Sequence, residues 1–161
     1  MSDLEEIKLE IPEGCNMIIG YSHFIKTVED LEEIIRTVTP GSFYSIAFSE
    51  ASGERLIRHE GNDEILRKIA INNLRKLSCG HTFIILLKNA FPIAILNAIK
   101  NCQEVGNIFA ATANPISAIV YRGENGGSVL GVIDGYSPLG VETDSDREKR
   151  RDLLRKIGYK R

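Results

Sequence analysis

Apolar and polar residues recur along the chain with two different periods, and these periods predict strands and helices in turn. Strict alternation over residues 6–11 and an apolar segment over residues 16–21 predict the first two strands. From residue 27 the apolar side chains recur every three or four positions, which indicates a helix with one buried stripe. Pro40 and Gly41 end that helix. Because the helix has an apolar stripe, we expect that face to pack on the sheet that the strands form.

The rest of the chain continues the same series and ends in a charged helix. Further strands are predicted over residues 43–49, 55–59, 82–87, 105–111, 116–121 and 129–133, and further helices from Asn62 or Asp63, after Pro92 and over 146–157. The run 82–87 is apolar on both faces, which is typical of a strand in the middle of a sheet. Leu153, Leu154 and Ile157 offer the last helix its packing contacts. The pattern predicts one α+β domain over residues 1–161, with mixed β-sheets packed against about four helices.

Composition and charge narrow the classes of partner. The chain has 161 residues, of which 43% are hydrophobic and 26% charged, and its net charge of −2 favours neither nucleic acid nor an anionic membrane. No apolar run is long enough to cross a membrane, and the acidic N-terminus is unlike a signal peptide, so we expect a cytoplasmic protein. Cys15, Cys79 and Cys102 are odd in number and widely spaced, which predicts neither a disulfide framework nor a metal site.

The loop between the second strand and the first helix has the composition of an anion site. Ser22, His23 and Lys26 stand just before the helix, and Thr27 followed by Asp30 predicts a capping box. A phosphate there would meet Lys26, free backbone N–H groups and the positive end of the helix dipole. We therefore predict Ser22, Lys26 and Thr27 as phosphate-binding residues. The alternative is an ordinary capped helix after a strand.

Two histidines are candidates for chemistry. His23 could bind phosphate, act as a general acid or base, or carry a phosphoryl group. His81 stands at the mouth of the predicted central strand, where a polar side chain either bonds to the backbone or lines a site. His59 lies among charged neighbours in a predicted strand and is expected at the surface.

Polar residues at other strand ends are candidates for contacts with a small molecule. Asn114 precedes a proline, so it is either a turn residue or an amide that binds a base or ribose. Asp134 leaves an apolar strand for a glycine-bearing loop, where it could bind a ribose hydroxyl, hold a metal, orient a histidine or form the turn.

Four segments together resemble the adenosine-specific kinase family, a group of small prokaryotic and largely archaeal proteins. They are Gly20-Tyr21-Ser22-His23-Phe24-Ile25-Lys26-Thr27-Val28-Glu29-Asp30-Leu31, Glu60-Gly61-Asn62-Asp63-Glu64, Gly80-His81-Thr82-Phe83-Ile84-Ile85, and Ala111-Thr112-Ala113-Asn114-Pro115 with Gly131-Val132-Ile133-Asp134-Gly135. The resemblance covers nearly the whole chain. It implies a compact α+β protein that forms a homotrimer and binds adenosine or AMP.

The resemblance also implies a phosphohistidine, which falls on His23 or His81 because each lies inside a matching segment. We predict Asn62, Asn114 and Asp134, each of which lies within a matching segment, as nucleoside-binding residues. The implied activity is phosphoryl transfer to adenosine, with ATP and Mg²⁺ as the expected donor. The sequence has no G-x-x-x-x-G-K-[ST] loop to hold a triphosphate, so the alternative is a sensor that binds AMP without catalysis.

Overall fold

The computed structural model describes residues 3–161, which form eight strands and four α-helices. The strands are β1 (Leu4–Leu9), β2 (Cys15–Ser22), β3 (Phe43–Ser49), β4 (Ile57–Gly61), β5 (Thr82–Lys88), β6 (Val105–Thr112), β7 (Ile116–Arg122) and β8 (Gly127–Asp134). The helices are α1 (Thr27–Val38), α2 (Glu64–Leu77), α3 (Leu96–Lys100) and α4 (Asp144–Lys156), and a short 3₁₀ helix (Pro92–Ala94) precedes α3. Within residues 3–161, no helix has the length and apolar character needed to cross a membrane.

The strands form two sheets whose neighbours all run antiparallel. The larger sheet has the order β4-β3-β5-β2-β6, and the smaller has the order β1-β7-β8. The prediction of a single α+β domain with four helices is confirmed, and the sheets are wholly antiparallel where mixed pairing was expected. β5 is the central strand of the larger sheet and is buried on both faces, as its apolar run predicted.

The larger sheet is covered on both faces, because its strands carry apolar residues in both alternation phases. One phase, which includes Met17, Ile19 and Ile84, packs against α2 and the smaller sheet. The other phase, which includes Phe48 and Phe83, packs against α1 and α3. The sheet is therefore the middle of three layers, and polar side chains gather at the two ends of its strands.

Two structural expectations are wrong. Thr27 does not cap α1: Lys26 occupies the N-cap position without a side-chain capping bond, and Thr27 is the first helical residue. The physical reason is that the Thr27 hydroxyl bonds to the Ser22 hydroxyl at the end of β2 instead. The predicted packing of α4 also fails, because no residue of α4 is buried and Leu153 is 55% exposed. Its capping box, Thr143 with Asp146, stabilises the helix locally.

Candidate functional site

The two candidate histidines meet at one end of the larger sheet, where they line a common pocket of about 160 Å³. β2 delivers His23 and the turn before β5 delivers His81, and these two strands are neighbours. A backbone hydrogen bond of 2.9 Å from the Ser22 N–H to the His81 carbonyl joins the two segments. The other residues around this histidine pocket are Phe24, Ile25, Phe48, Glu50, Ala51 and Ser52.

His81 is held firmly by rings and by backbone. Its ring stacks on buried Phe48 with centroids 5.9 Å apart and meets the edge of Tyr21 at 5.8 Å. Its backbone N–H donates to the Ser49 carbonyl at 2.7 Å. With φ at 61°, His81 lies in the left-handed region, which costs free energy for a residue with a Cβ and persists where the surroundings fix it. The ring is half-buried and fixed in position.

His23 is exposed and less constrained. Its ring stacks on exposed Phe24 with centroids 6.1 Å apart. The backbone N–H of His23 donates to the Glu104 backbone carbonyl at 3.1 Å. The pocket therefore pairs one fixed imidazole with one that faces solvent. That arrangement suits a carrier of a chemical group together with a general acid or base.

Glu50 also lines the histidine pocket and was not predicted from the sequence. One carboxylate oxygen accepts from the Leu56 N–H at 2.7 Å, and the other pairs with Arg58 at 3.0 Å. The Leu56 N–H and Arg58 together hold the pKa of Glu50 below its usual value. Glu50 thus places a fixed negative charge beside the two histidines. Its position directly after a buried strand was the available sequence signal.

A larger pocket of about 780 Å³ adjoins the histidine pocket and shares Glu50 and Ala51 with it. Its walls come from the turn between β3 and β4, the end of α2 and the β7–β8 hairpin. Two of its residues, Arg55 and Ser78, have φ of 53° and 49°. Four non-glycine residues within 3–161 have positive φ, and three of them surround these joined pockets. Backbone strain of this kind concentrates at functional sites.

The predicted phosphate-binding hydroxyls lie just beneath the histidine loop. Ser22 and Thr27 are both fully buried, and their hydroxyls bond to each other. The Ser22 hydroxyl also donates to the Glu104 carbonyl at 3.1 Å. These bonds fix the loop that carries His23. Both hydroxyls are buried, and neither residue lines the histidine pocket.

Lys26 lies beside two carboxylates. Its ammonium bonds to Asp30 and lies 3.7 Å from a carboxylate oxygen of buried Glu104. The hydrogen bond with Asp30 raises the pKa of Lys26, so the side chain stays charged. In this arrangement the positive charge of Lys26 is paired with Asp30 and Glu104 and does not face a phosphate in the histidine pocket.

Asn114 and Asp134 are brought together, but at the opposite end of the larger sheet from the histidines. One carboxylate oxygen of Asp134 accepts from the Thr112 hydroxyl at 2.7 Å and from the Asn114 amide at 3.1 Å. Thr112 at the end of β6 pairs with Met17 on β2, whereas the histidine end of β2 is at Ser22. Five residues of extended strand separate these ends by about 17 Å.

Asn62 lies at the same far end, on the other edge of the sheet. Its side-chain oxygen accepts from the Tyr44 N–H at 2.9 Å, and its amide donates to the Ser42 carbonyl at 3.0 Å. Asp63, not Asn62, caps α2 by accepting from the Leu66 N–H. Within one chain, the structure therefore brings His23 and His81 together and leaves the three predicted nucleoside-binding residues apart from them. His59 is exposed on β4, as expected.

Residues 7–160 match the family described as Adenosine specific kinase. The crystal structure of the PH1918 protein from Pyrococcus horikoshii OT3 has a TM-score of 0.94 with this chain, at 45% identity over 98% of each chain. No match is found among curated proteins. Because the family match spans nearly the whole chain, this protein belongs to the adenosine specific kinase family.

Proposed function

We propose that this protein binds adenosine or AMP in the joined pockets and transfers a phosphoryl group to adenosine through a phosphohistidine. The observation that carries the proposal is that two distant segments place His23 and His81 around one pocket. The family to which the chain belongs supports an adenosine-related ligand. A histidine relay divides phosphoryl transfer into two steps, so a single site need not hold donor and acceptor together.

We assign the carrier role to His81, because its ring is fixed and partly shielded from water. A ring nitrogen of His81 would attack the γ-phosphorus of ATP. A nitrogen–phosphorus bond forms, the bond from that phosphorus to the bridging oxygen breaks, and ADP leaves. The 5′-hydroxyl oxygen of adenosine then attacks the phosphorus, the nitrogen–phosphorus bond breaks, and His23 accepts the hydroxyl proton.

The histidine pocket is too small for a nucleoside alone, because small-molecule sites usually enclose about 300–1,000 Å³. We place the nucleoside in the adjoining pocket, where Glu50 can accept hydrogen bonds from the ribose hydroxyls. Asn62, Asn114 and Asp134 would contribute only from a second copy of the chain, since they lie at the far end of this one. We propose that a homotrimer with sites shared between copies meets this requirement.

The predicted phosphate-binding residues contribute to this proposal in two ways. Ser22 and Thr27 hold the His23 loop through their buried hydroxyls. Lys26 would contact a phosphate after leaving Asp30, which a side chain that is 42% exposed can do.

A second candidate function is a sensor that binds AMP without chemistry. The observation that favours it is the lining of the histidine pocket, which includes no lysine or arginine from residues 3–161. Phosphoryl transfer from ATP needs several positive charges to stabilise its transition state. Such charges would have to come from Mg²⁺ bound with ATP or from neighbouring copies.

Labelling with γ-³²P-ATP and Mg²⁺ separates the two functions. We expect acid-labile label on the wild-type protein and on His59→Asn, no label on His81→Asn, and label without turnover on His23→Asn. Asparagine is chosen because it tolerates the positive φ of His81. His59→Asn is the matched control, since His59 lies outside the pocket. Equal labelling of all variants would reject the relay.

Calorimetry with adenosine, AMP, ADP and ATP completes the test. Binding of adenosine or AMP by a protein that never becomes labelled would establish the sensor. Failure of all four ligands to bind would reject both functions.

A further inference from the structure

The carboxylate of Glu104 is buried without a hydrogen bond from residues 3–161, which is an arrangement that a bound cation would stabilise. Its side chain is 2% exposed, and neither carboxylate oxygen accepts a hydrogen bond from the described part of the chain. The ammonium of Lys26 lies 3.7 Å from one oxygen, beyond the length of a good hydrogen bond. Buried carboxylates are normally paired and hydrogen-bonded, or they coordinate a metal.

Two further ligand groups face the same point. The donor atoms of Asp30, Cys102 and Glu104 all lie within 4.8 Å of one another. The Cys102 sulfur is 3.8 Å from a carboxylate oxygen of Asp30. Ligand atoms around one tetrahedral zinc ion lie about 3.5 Å apart, so small side-chain movements would complete this geometry.

We propose that Asp30, Cys102 and Glu104 form a binding site for Zn²⁺. The site lies where α1 meets the segment between α3 and β6, beneath the loop that carries His23. It does not depend on the proposed adenosine chemistry. Three protein ligands leave a fourth position for water.

The donor set selects zinc over the common hard cations. Mg²⁺ and Ca²⁺ take oxygen ligands, whereas Zn²⁺ binds thiolate sulfur and carboxylate oxygen together. A cysteine binds zinc as its thiolate, so zinc binding would form a zinc–sulfur bond and release the thiol proton to solvent.

Access to the site comes from an open cleft of about 520 Å³, whose lining includes Asp30 and Cys102. Lys26 lines the same cleft and bonds to Asp30, so its ammonium balances the charge of that one carboxylate in the metal-free protein. Zinc would displace this ammonium. Lys26 is therefore a built-in competitor, and its removal should strengthen metal binding.

The test is a Zn²⁺ titration of untagged, EDTA-treated protein in competition with a chromogenic chelator, with Co²⁺ used in parallel to detect the metal–thiolate absorption band. We expect one ion per chain. Cys102→Ser and Asp30→Asn should each weaken Zn²⁺ binding at least about tenfold, and Cys102→Ser should abolish the cobalt–thiolate band. Glu104→Gln should weaken binding similarly. Lys26→Gln should tighten it.

Controls distinguish this site from other metal-binding groups. Glu33→Gln removes an exposed carboxylate from the same cleft and helix, and it should leave Zn²⁺ affinity within about twofold. The double variant His23→Asn with His81→Asn should also bind normally. Absence of Zn²⁺ binding, unchanged affinity in both Cys102→Ser and Asp30→Asn, or loss of binding in the double histidine variant would overturn the proposal.

Discussion

The two ends of the larger sheet differ in how their polar side chains are held. At one end, His81 is fixed by Phe48, Tyr21 and its own backbone, and no hydrogen bond to its ring nitrogens comes from residues 3–161. At the other end, Thr112, Asn114 and Asp134 satisfy one another in a closed network. Side chains that are held by packing, with their polar atoms left free, are prepared for a ligand. Side chains that bond among themselves stabilise a turn unless a partner competes for them.

Truncating the ring beneath His81 should have the largest effect. Phe48→Ala removes a side chain that is 1% exposed, and we expect unfolding free energy to fall by about 3–5 kcal/mol. Phe43→Ala, on the same strand at the far end and 44% exposed, should cost no more than about 1 kcal/mol. Urea denaturation measures both values. Equal losses would show that the ring at the histidine end has no special packing role.

Mixing two defective variants tests whether the two ends meet between copies. His81→Asn and Asp134→Ala should each reduce adenosine affinity about 100-fold by calorimetry. After denaturation and refolding together in equal amounts, random assembly into a ring should restore about one quarter of the sites. The same procedure with each variant alone should restore none. No recovery in the mixture would contradict a site shared between copies.

Breaking the closed network should have a moderate effect on stability. Thr112→Val keeps the shape of a side chain that is 6% exposed, but removes its bonds to Asp134 and to the Asn114 N–H. We expect a loss of about 1–2 kcal/mol in unfolding free energy, measured by urea denaturation. Thr37→Val, at an exposed position on α1, serves as the control and should change little. A loss no larger than that of the control would remove the network as a source of stability.

The charge of Glu50 should give the smallest effect, seen as a pH dependence. Its folded pKa lies below the ordinary 4.5, because the Leu56 N–H and Arg58 favour the carboxylate. The stabilisation is therefore present above about pH 4.5 and is lost as pH falls through the lowered folded pKa. Glu50→Gln should flatten that part of a plot of melting temperature against pH. Glu54→Gln, 76% exposed and also near Arg58, should not.

The fold was largely predictable because local patterns and tertiary packing agree. The periodic apolar residues of α1 and the run of β5 predicted both elements closely, and both are buried where the pattern indicated. The pattern failed at α4, where Leu153 and Ile157 suggested a packed face that the structure leaves exposed. A few apolar residues in a strongly charged helix do not specify what, if anything, covers them.

The two histidines that line the candidate pocket were selected one by one from the sequence, but their assembly was not predicted. His23 and His81 were selected from their own neighbourhoods, and the pairing of β2 with β5 brought them together. Glu104 was missed because its neighbours Lys26 and Asp30 come from a distant segment. Glu50 was missed because the two histidines beside it come from distant segments, although its own partners Leu56 and Arg58 are close in sequence. The Ser22–Thr27 bond likewise replaced the expected cap with a tertiary contact. Local sequence shows which groups are available, and topology decides which of them meet.

The strand order also sets when the histidine pocket can form during synthesis. Tyr21 pairs with Thr82 on one side and with Asn107 on the other, so β2 must wait for segments about 60 and 90 residues further along the chain. Contacts of such long range make folding slow. The nascent chain therefore has no histidine pocket until β5 has left the ribosome and found β2. The adjoining pocket also needs Asn125, Gly126 and Gly127, so capture of a nucleoside would report that the chain has folded at least through the β7–β8 hairpin.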